Sequence, residues 1–277
     1  MIKTILVSLN NIECVRSSMR AAVTLSQRYD CHIIGLFVVP SVTFYSGPMG
    51  LGASVKPISA GTYFAKRAEI AKPAFEKILS KHKLRGEWKQ VDSHGKTIPD
   101  TITQYGHAAD LVIIGHRNPG GGHVDADVET SAYIVKAVGR PVLVVPHSNR
   151  KKFVVKRAIL GWDGSREASR AAFDAIPLLH DVQKLTVTCV NPRLESDVSN
   201  QAPGQKISAA MNYHAIPTEI DILKTHNKIG LALVKKASAS DLLIIGAYGH
   251  SRLRETILGG VTETVLNNLS GPVLLSN

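Results

Sequence analysis

Cysteine is scarce: Cys14, Cys31 and Cys189 are the three in 277 residues. Odd in number and far apart, they exclude a disulfide scaffold or a Cys-based zinc site and fit a reducing, cytoplasmic setting. Cys31 and Cys189 sit at the start of, or inside, strand-like runs and read as small core residues. Aromatics make up only 5% of the chain. That is too few for a base-stacking surface, and basic and aromatic residues do not interleave, so no nucleic-acid partner is expected. The net charge of +11 is spread along the chain. Its densest run, Arg150-Lys151-Lys152 with Lys156-Arg157, reads as a basic surface. No apolar stretch approaches membrane-helix length, and Met1 to Val7 reads as a strand rather than a signal peptide. No membrane partner is expected. A Gly-x-x-x-x-Gly-Lys-[Ser/Thr] loop is missing, and no local motif implies a Ser/His/Asp or Cys/His set, so turnover is not expected.

What the chain does have is a repeat. Ala109-Asp110-Leu111-Val112-Ile113-Ile114-Gly115 matches Ser240-Asp241-Leu242-Leu243-Ile244-Ile245-Gly246, and Gly139-Arg140-Pro141-Val142-Leu143-Val144 matches Ser270-Gly271-Pro272-Val273-Leu274-Leu275. Gly246 follows Gly115 by 131 positions, and Pro272 follows Pro141 by the same 131. Lys3 to Asn10 echoes Arg157 to Asp163, and Val38-Val39-Pro40 echoes Val190-Asn191-Pro192. Two copies of one domain are expected, at 1–147 and 154–277, joined near Pro146 to Phe153. A hydrophobic content of 44% is ample for both cores.

Each copy alternates strand and helix. In the second, strands are expected at Ala158 to Trp162, Lys184 to Val190, Thr218 to Lys224, Leu242 to Ile245 and Pro272 to Leu275. Between them run helices after Ser165, a plausible N-cap, from about Gln205, along Ile229, Ala232, Leu233 and Ala237, and from Val261 to Leu269. Short, bulk-apolar strands alternating with helices imply an α/β fold: two tandem, doubly wound, Rossmann-like parallel-sheet domains. Ligands of such sheets bind beyond the carboxyl ends of the strands, where strand order reverses. That places Asp163, after the first strand, beside the loop after the fourth.

That loop lies in the stretch Asp241 to Leu266. Gly246-x-x-Gly249, nine residues and Gly259-Gly260 link an apolar strand to a helix start, with His250, Arg252 and Arg254 between. Glycines let a backbone approach an anion, and a helix start supplies partial positive charge. Glycines also end strands and open turns, and an Asp after a strand is commonly a turn or cap residue. His250 and Arg252 suit either phosphate contact or simple solvation. Trp162 reads as a packing residue.

Gly161-Trp162-Asp163-Gly164-Ser165-Arg166-Glu167-Ala168, together with Gly246-Ala247-Tyr248-Gly249 and Gly259-Gly260, resembles the ATP-binding pattern of the universal stress protein family, in its tandem bacterial form. The resemblance spans nearly the whole chain as two domains of the adenine nucleotide alpha hydrolase-like type. It implies that Asp163 contacts the ribose or adenine side, that the main chain near Val190 touches adenine, and that Gly246, Gly249, Gly259 and Gly260 hold the phosphates. Gly260 stands where many binders have Ser or Thr, which removes a hydroxyl and keeps an N–H. The resemblance also implies an internal pseudo-dimer in which Pro141 to Val145 pairs with Pro272 to Leu275. The expected function is a stress-response binding protein holding ATP, with or without Mg2+, in the second domain. The alternatives are an interaction protein without a nucleotide and, behind it, a slow ATPase. An unidentified protein partner and a homodimer of tandem chains are further expectations.

The first copy departs at the same points. At the 131 offset Gly249 becomes Asn118, Gly259 becomes Val128 and Gly260 becomes Glu129, while Asp163 corresponds to Asn10. The expected loop, Asn118 to Asp127, carries Asp125 and Asp127, which with Glu129 would repel a phosphate. No nucleotide is expected there. His116, His123, Asp125 and Asp127 fix no coordination geometry, so no metal site is expected. The insert Ser41 to Gly61, rich in Gly, Ser and Pro, is expected to be a loop.

Overall fold

The structure is a computed structural model that describes residues 1–40, 58–117, 124–192, 202–248 and 260–277. Its first half contains β1 (Thr4–Ser8), α1 (Val15–Tyr29), β2 (His32–Val39), α2 (Ile58–His82), β3 (Gly86–Asp92), α3 (Ile98–Gly106), β4 (Leu111–His116), α4 (Val124–Ala137) and β5 (Val142–Pro146). Its second half contains β6 (Arg157–Gly161), α5 (Arg166–Asp174), β7 (Lys184–Val190), α6 (Gln205–Tyr213), β8 (Thr218–Leu223), α7 (Ile229–Ala237), β9 (Leu242–Gly246), α8 (Gly260–Asn267) and β10 (Val273–Ser276).

Among the described residues ten strands form one sheet in the order β3-β2-β1-β4-β5-β10-β9-β6-β7-β8. Every pairing is parallel except the seam, where β5 and β10 run antiparallel with Leu274 opposite Leu143. Each half is thus a doubly wound five-stranded sheet, and the two meet through their last strands. The expected internal pseudo-dimer is this seam. The central strands β4, β5, β9 and β10 are buried on both faces, as bulk-apolar runs covered by helices should be. The edge strands β3 and β8 are the open ones, with Glu87, Gln90 and Asp92 exposed on one and Glu219 and Ile222 on the other.

Because side chains alternate across a sheet, the two apolar cores divide by sheet face and not by half. One contains Ile5, Val7, Ile113, Leu143, Leu160, Ile244 and Leu274; the other contains Leu6, Val112, Val144, Ile159, Leu243 and Val273. Each crosses the seam. The join between the halves packs inward too, with Phe153 and Val155 buried.

Both halves fasten the start of their first strand in the same way. Asp110 Oδ2 accepts from the N–H groups of Lys3 and Thr4 at 2.7 and 2.9 Å; Asp241 Oδ2 accepts from those of Lys156 and Arg157, both at 2.9 Å. Helix starts are capped locally. Thr97 and Asp100 form a reciprocal capping box on α3, and Ser165 Oγ accepts from Ala168 N at 3.1 Å on α5, as the sequence implied.

Two expectations are corrected. Val124 to Asp127 is helical, not loop: these residues form the start of α4. Val128 and Glu129, where the second copy has two glycines, favour a helix that glycine weakens by about 1 kcal/mol per residue. Likewise Ile58 to Gly61, the end of the expected insert, opens α2, while Ser41 to Pro57 lies outside the described residues. No helix among the described residues is long and apolar enough to cross a membrane.

Candidate functional site

In the second half, strand order reverses between β6 and β9. A crevice therefore opens beyond their carboxyl ends. Gly161 is level with Thr188 on one side and Ile245 on the other, and Trp162 N donates to Thr188 O at 2.9 Å, extending the ladder by one bond. Two residues past Gly161 and two past Thr188, Asp163 and Val190 come level at the crevice.

The Asp163 turn is built by its own neighbours. Asp163 is exposed, and its Oδ1 accepts from Ser165 N at 2.9 Å. Gly164 has φ of 78°, a conformation that suits glycine, and Ser165 then starts α5. The turn and cap role foreseen for this segment is real, and it leaves the carboxylate at the crevice edge. The field of Asp163 reaches β7. Burial first, and then the carboxylates of Asp163 and Asp221, push the Cys189 thiol up to about 11.

Strand polarity decides where the Val190 main chain points. Along a parallel strand, successive residues bond alternately to one neighbour and the other. Thr188 O faces β6, and Asn191 N donates to Leu223 O of β8 at 2.9 Å. The N–H and carbonyl of Val190 therefore face the β6 side, where β6 has already ended, and among the described residues no group bonds them there. Asn191, at φ 45°, fixes the strand end by bonding both ways to Thr225, at 2.7 and 2.9 Å.

Gly246 ends β9 directly under α5. A Cβ on it would lie 2.4 Å from the backbone of Glu167 and Ala168. Gly115 is in the same position, 2.1 Å from Cys14 Cβ. This close approach explains why both copies have a glycine here: packing requires it whether or not an anion binds. Gly260 is the reverse case. It opens α8, is exposed, and an added Cβ would meet nothing within 4 Å. A hydroxyl-bearing residue would fit. Gly249, His250, Arg252 and Gly259, with Arg254, lie outside the described residues.

Sequence patterns did not reveal Tyr248. It has φ of 68°, and its hydroxyl donates to Ala132 O of α4 at 3.0 Å, across the seam. Burial raises its pKa. Tyr248, two residues past the end of β9, is thus anchored on the other half. The only hint in the sequence is that Tyr248 replaces Arg117 at the 131 offset. Trp162 packs partly buried against the core, as expected. His116 is buried with Nδ1 3.4 Å from Ser131 Oγ. Among the described residues no cluster of three His, Cys, Asp or Glu is placed to hold a metal ion.

Residues 155–277 match the model of the universal stress protein family. A universal stress protein of Synechocystis sp. is 27% identical over 173 residues, 60% of this chain; the chain spans 57% of that relative's length. A universal stress protein from Archaeoglobus fulgidus superimposes with a TM-score of 0.72 at 14% identity, covering 99% of this chain and 96% of its own. A functionally unknown protein from Pseudomonas aeruginosa PAO1 superimposes with a TM-score of 0.57 at 14% identity, covering 99% and 92%. At these identities the two structures speak for the fold of both halves, and the family match speaks for the second. Residues 155–277 thus match the universal stress protein family, and the first half shares the fold of its solved members.

Proposed function

We propose that this is a stress-response protein of the cytoplasm that binds an adenine nucleotide, ATP with or without Mg2+, in residues 154–277, with residues 1–147 as a copy that binds none. The observation that carries the proposal is the Val190 main chain, turned into the crevice level with Asp163. A base held there donates its amino group to the Val190 carbonyl and accepts from the Val190 N–H. The Asp163 carboxylate accepts from a ribose hydroxyl. The start of α8 at Gly260, with Gly249, His250, Arg252 and Gly259 ahead of it, meets the phosphates. Nothing in these roles activates water, so turnover is not proposed; phosphate release abolished by Asp163→Ala would point instead to a slow ATPase.

A second reading, an interaction protein without a nucleotide, is favoured by one feature: Gly260 offers no side-chain hydroxyl. Under either reading the protein partner is unidentified, and pairing of two chains is a further proposal. Calorimetric titration of ATP into the wild type and Gly249→Val separates the two. Binding by the wild type that falls at least about tenfold in the variant supports the nucleotide site. Equal binding removes the glycine loop from it, and no heat or thermal shift with millimolar ATP or ADP favours the interaction protein.

A further inference from the structure

The first half contains the same strand end, and there the main chain is already bonded. Leu9 N donates to Leu36 O at 2.9 Å, the counterpart of the Trp162 to Thr188 bond. Ser93 N donates to Val39 O at 2.9 Å, so Val39 faces β3 and Val38 faces the β1 side. Beyond the end of β1, Asn10 bonds both main-chain groups of Val38. Its Nδ2 donates to Val38 O at 2.7 Å, and its Oδ1 accepts from Val38 N at 3.0 Å. Arg67 of α2 donates to Asn10 O at 3.2 Å, holding the residue from above.

We propose that Asn10 is a built-in stand-in for the edge of an adenine base, and that the difference between Asn10 and Asp163 decides which half accepts a base. A carboxamide offers one N–H donor beside one carbonyl acceptor. Adenine offers the same pair, an amino donor beside a ring-nitrogen acceptor. Either satisfies the N–H and carbonyl of a single strand residue. A carboxylate cannot, because it only accepts. Asp163 therefore cannot close onto the Val190 carbonyl as Asn10 closes onto that of Val38, and its Oδ1 instead takes the Ser165 N–H. A single change from carboxamide to carboxylate separates a self-occupied strand end from one that no described residue bonds. This selection is independent of the phosphate loop: the first half is closed to adenine before the charge of any phosphate matters.

The proposal rests on the base-binding role given above to Val190, and substitutions in the full-length chain test the two separately. In the second half, Asp163→Ala removes the carboxylate and adds no plug, whereas Asp163→Asn supplies the plug. The expected result is that Asp163→Asn binds ATP about tenfold more weakly than Asp163→Ala, the change that goes with one lost hydrogen-bond pair. Equal or tighter binding by Asp163→Asn overturns the plug. In the first half, Asn10→Ala and Asn10→Ser are titrated with adenosine, which has no phosphate for carboxylates to repel, while the Val38 amide is followed by NMR. A Val38 shift in the variants and none in the wild type is expected; an unmoved Val38 in folded variants at millimolar adenosine overturns the proposal. If neither the wild type nor Asp163→Ala binds ATP while Val38 responds in the Asn10 variants, the second-half site fails and the plug stands.

Discussion

At the scale of single residues, Asp110 and Asp241 show how a repeated side chain can serve the fold and not the site. Each collects two main-chain N–H groups at the start of the first strand of its half. Burial opposes the charge on Asp110, but the N–H groups of Lys3 and Thr4 and the Thr4 hydroxyl outweigh it and hold the carboxyl below its ordinary range. A depressed folded pKa contributes stability above the unfolded value, about 3.9, that is lost as pH falls through the folded value. Asp110→Ala should therefore cost about 2 kcal/mol in urea unfolding at pH 7, with the difference from wild type shrinking as pH falls below about 4. A constant difference down to pH 2 would show that the charge is not what the N–H groups hold. The match Ala109-Asp110 with Ser240-Asp241 was in view in the sequence, but nothing local tells a strand-start clasp from a ligand. The partners of Asp110 are more than a hundred residues away.

At the scale of elements, the contact between α5 and β9 sorts the glycines that the sequence could only group. Gly246 lies under the backbone of Glu167 and Ala168, so Gly246→Ala should cost about 3 kcal/mol, whereas Gly260→Ser should stay within about 0.5 kcal/mol. Thermal melts of the two variants check this, and comparable losses would contradict the difference in packing. The strands were legible because bulk-apolar runs such as Leu242 to Ile245 and Val142 to Val145 are short, bounded by glycine or proline and buried on both faces. The repeat offset placed the seam strands as well. The start of α4 was not legible: Gly120 to Gly122 just ahead of it read as loop, and Val128 and Glu129 were read as lost glycines rather than as helix formers. The Asn10 bonds to Val38 were not legible either, because the sequence shows the exchange of Asn for Asp but not which strand the side chain reaches. Of the candidate site, the register brings Asp163 and Val190 level, and Gly246 has a packing reason of its own.

At the scale of the whole molecule, the two halves share both of their cores. Each apolar cluster crosses the β5–β10 seam, and Tyr248 and Asn277 bond from the second half to α4 of the first, at Ala132 O and Lys136 O. Arg28 of α1 pairs with Asp181 of the second half on one face of the seam. Differential scanning calorimetry should therefore show one cooperative transition for the full chain; two resolved transitions would mean that the seam is a weak joint between independent units. A shared core also gives the unequal halves their relation. The first half supplies sheet, seam and an anchor for Tyr248, while its own strand end is closed by Asn10. The second half keeps a strand end that no described residue bonds, and the helix start. The most direct test of this division is a crystal structure of the wild-type protein grown with ATP. The account predicts one nucleotide per chain, its base on the Val190 main chain and its phosphates at the start of α8, with Asn10 still bonded to Val38. A nucleotide at Val38, or one bound elsewhere with the Val190 main chain untouched, would contradict it.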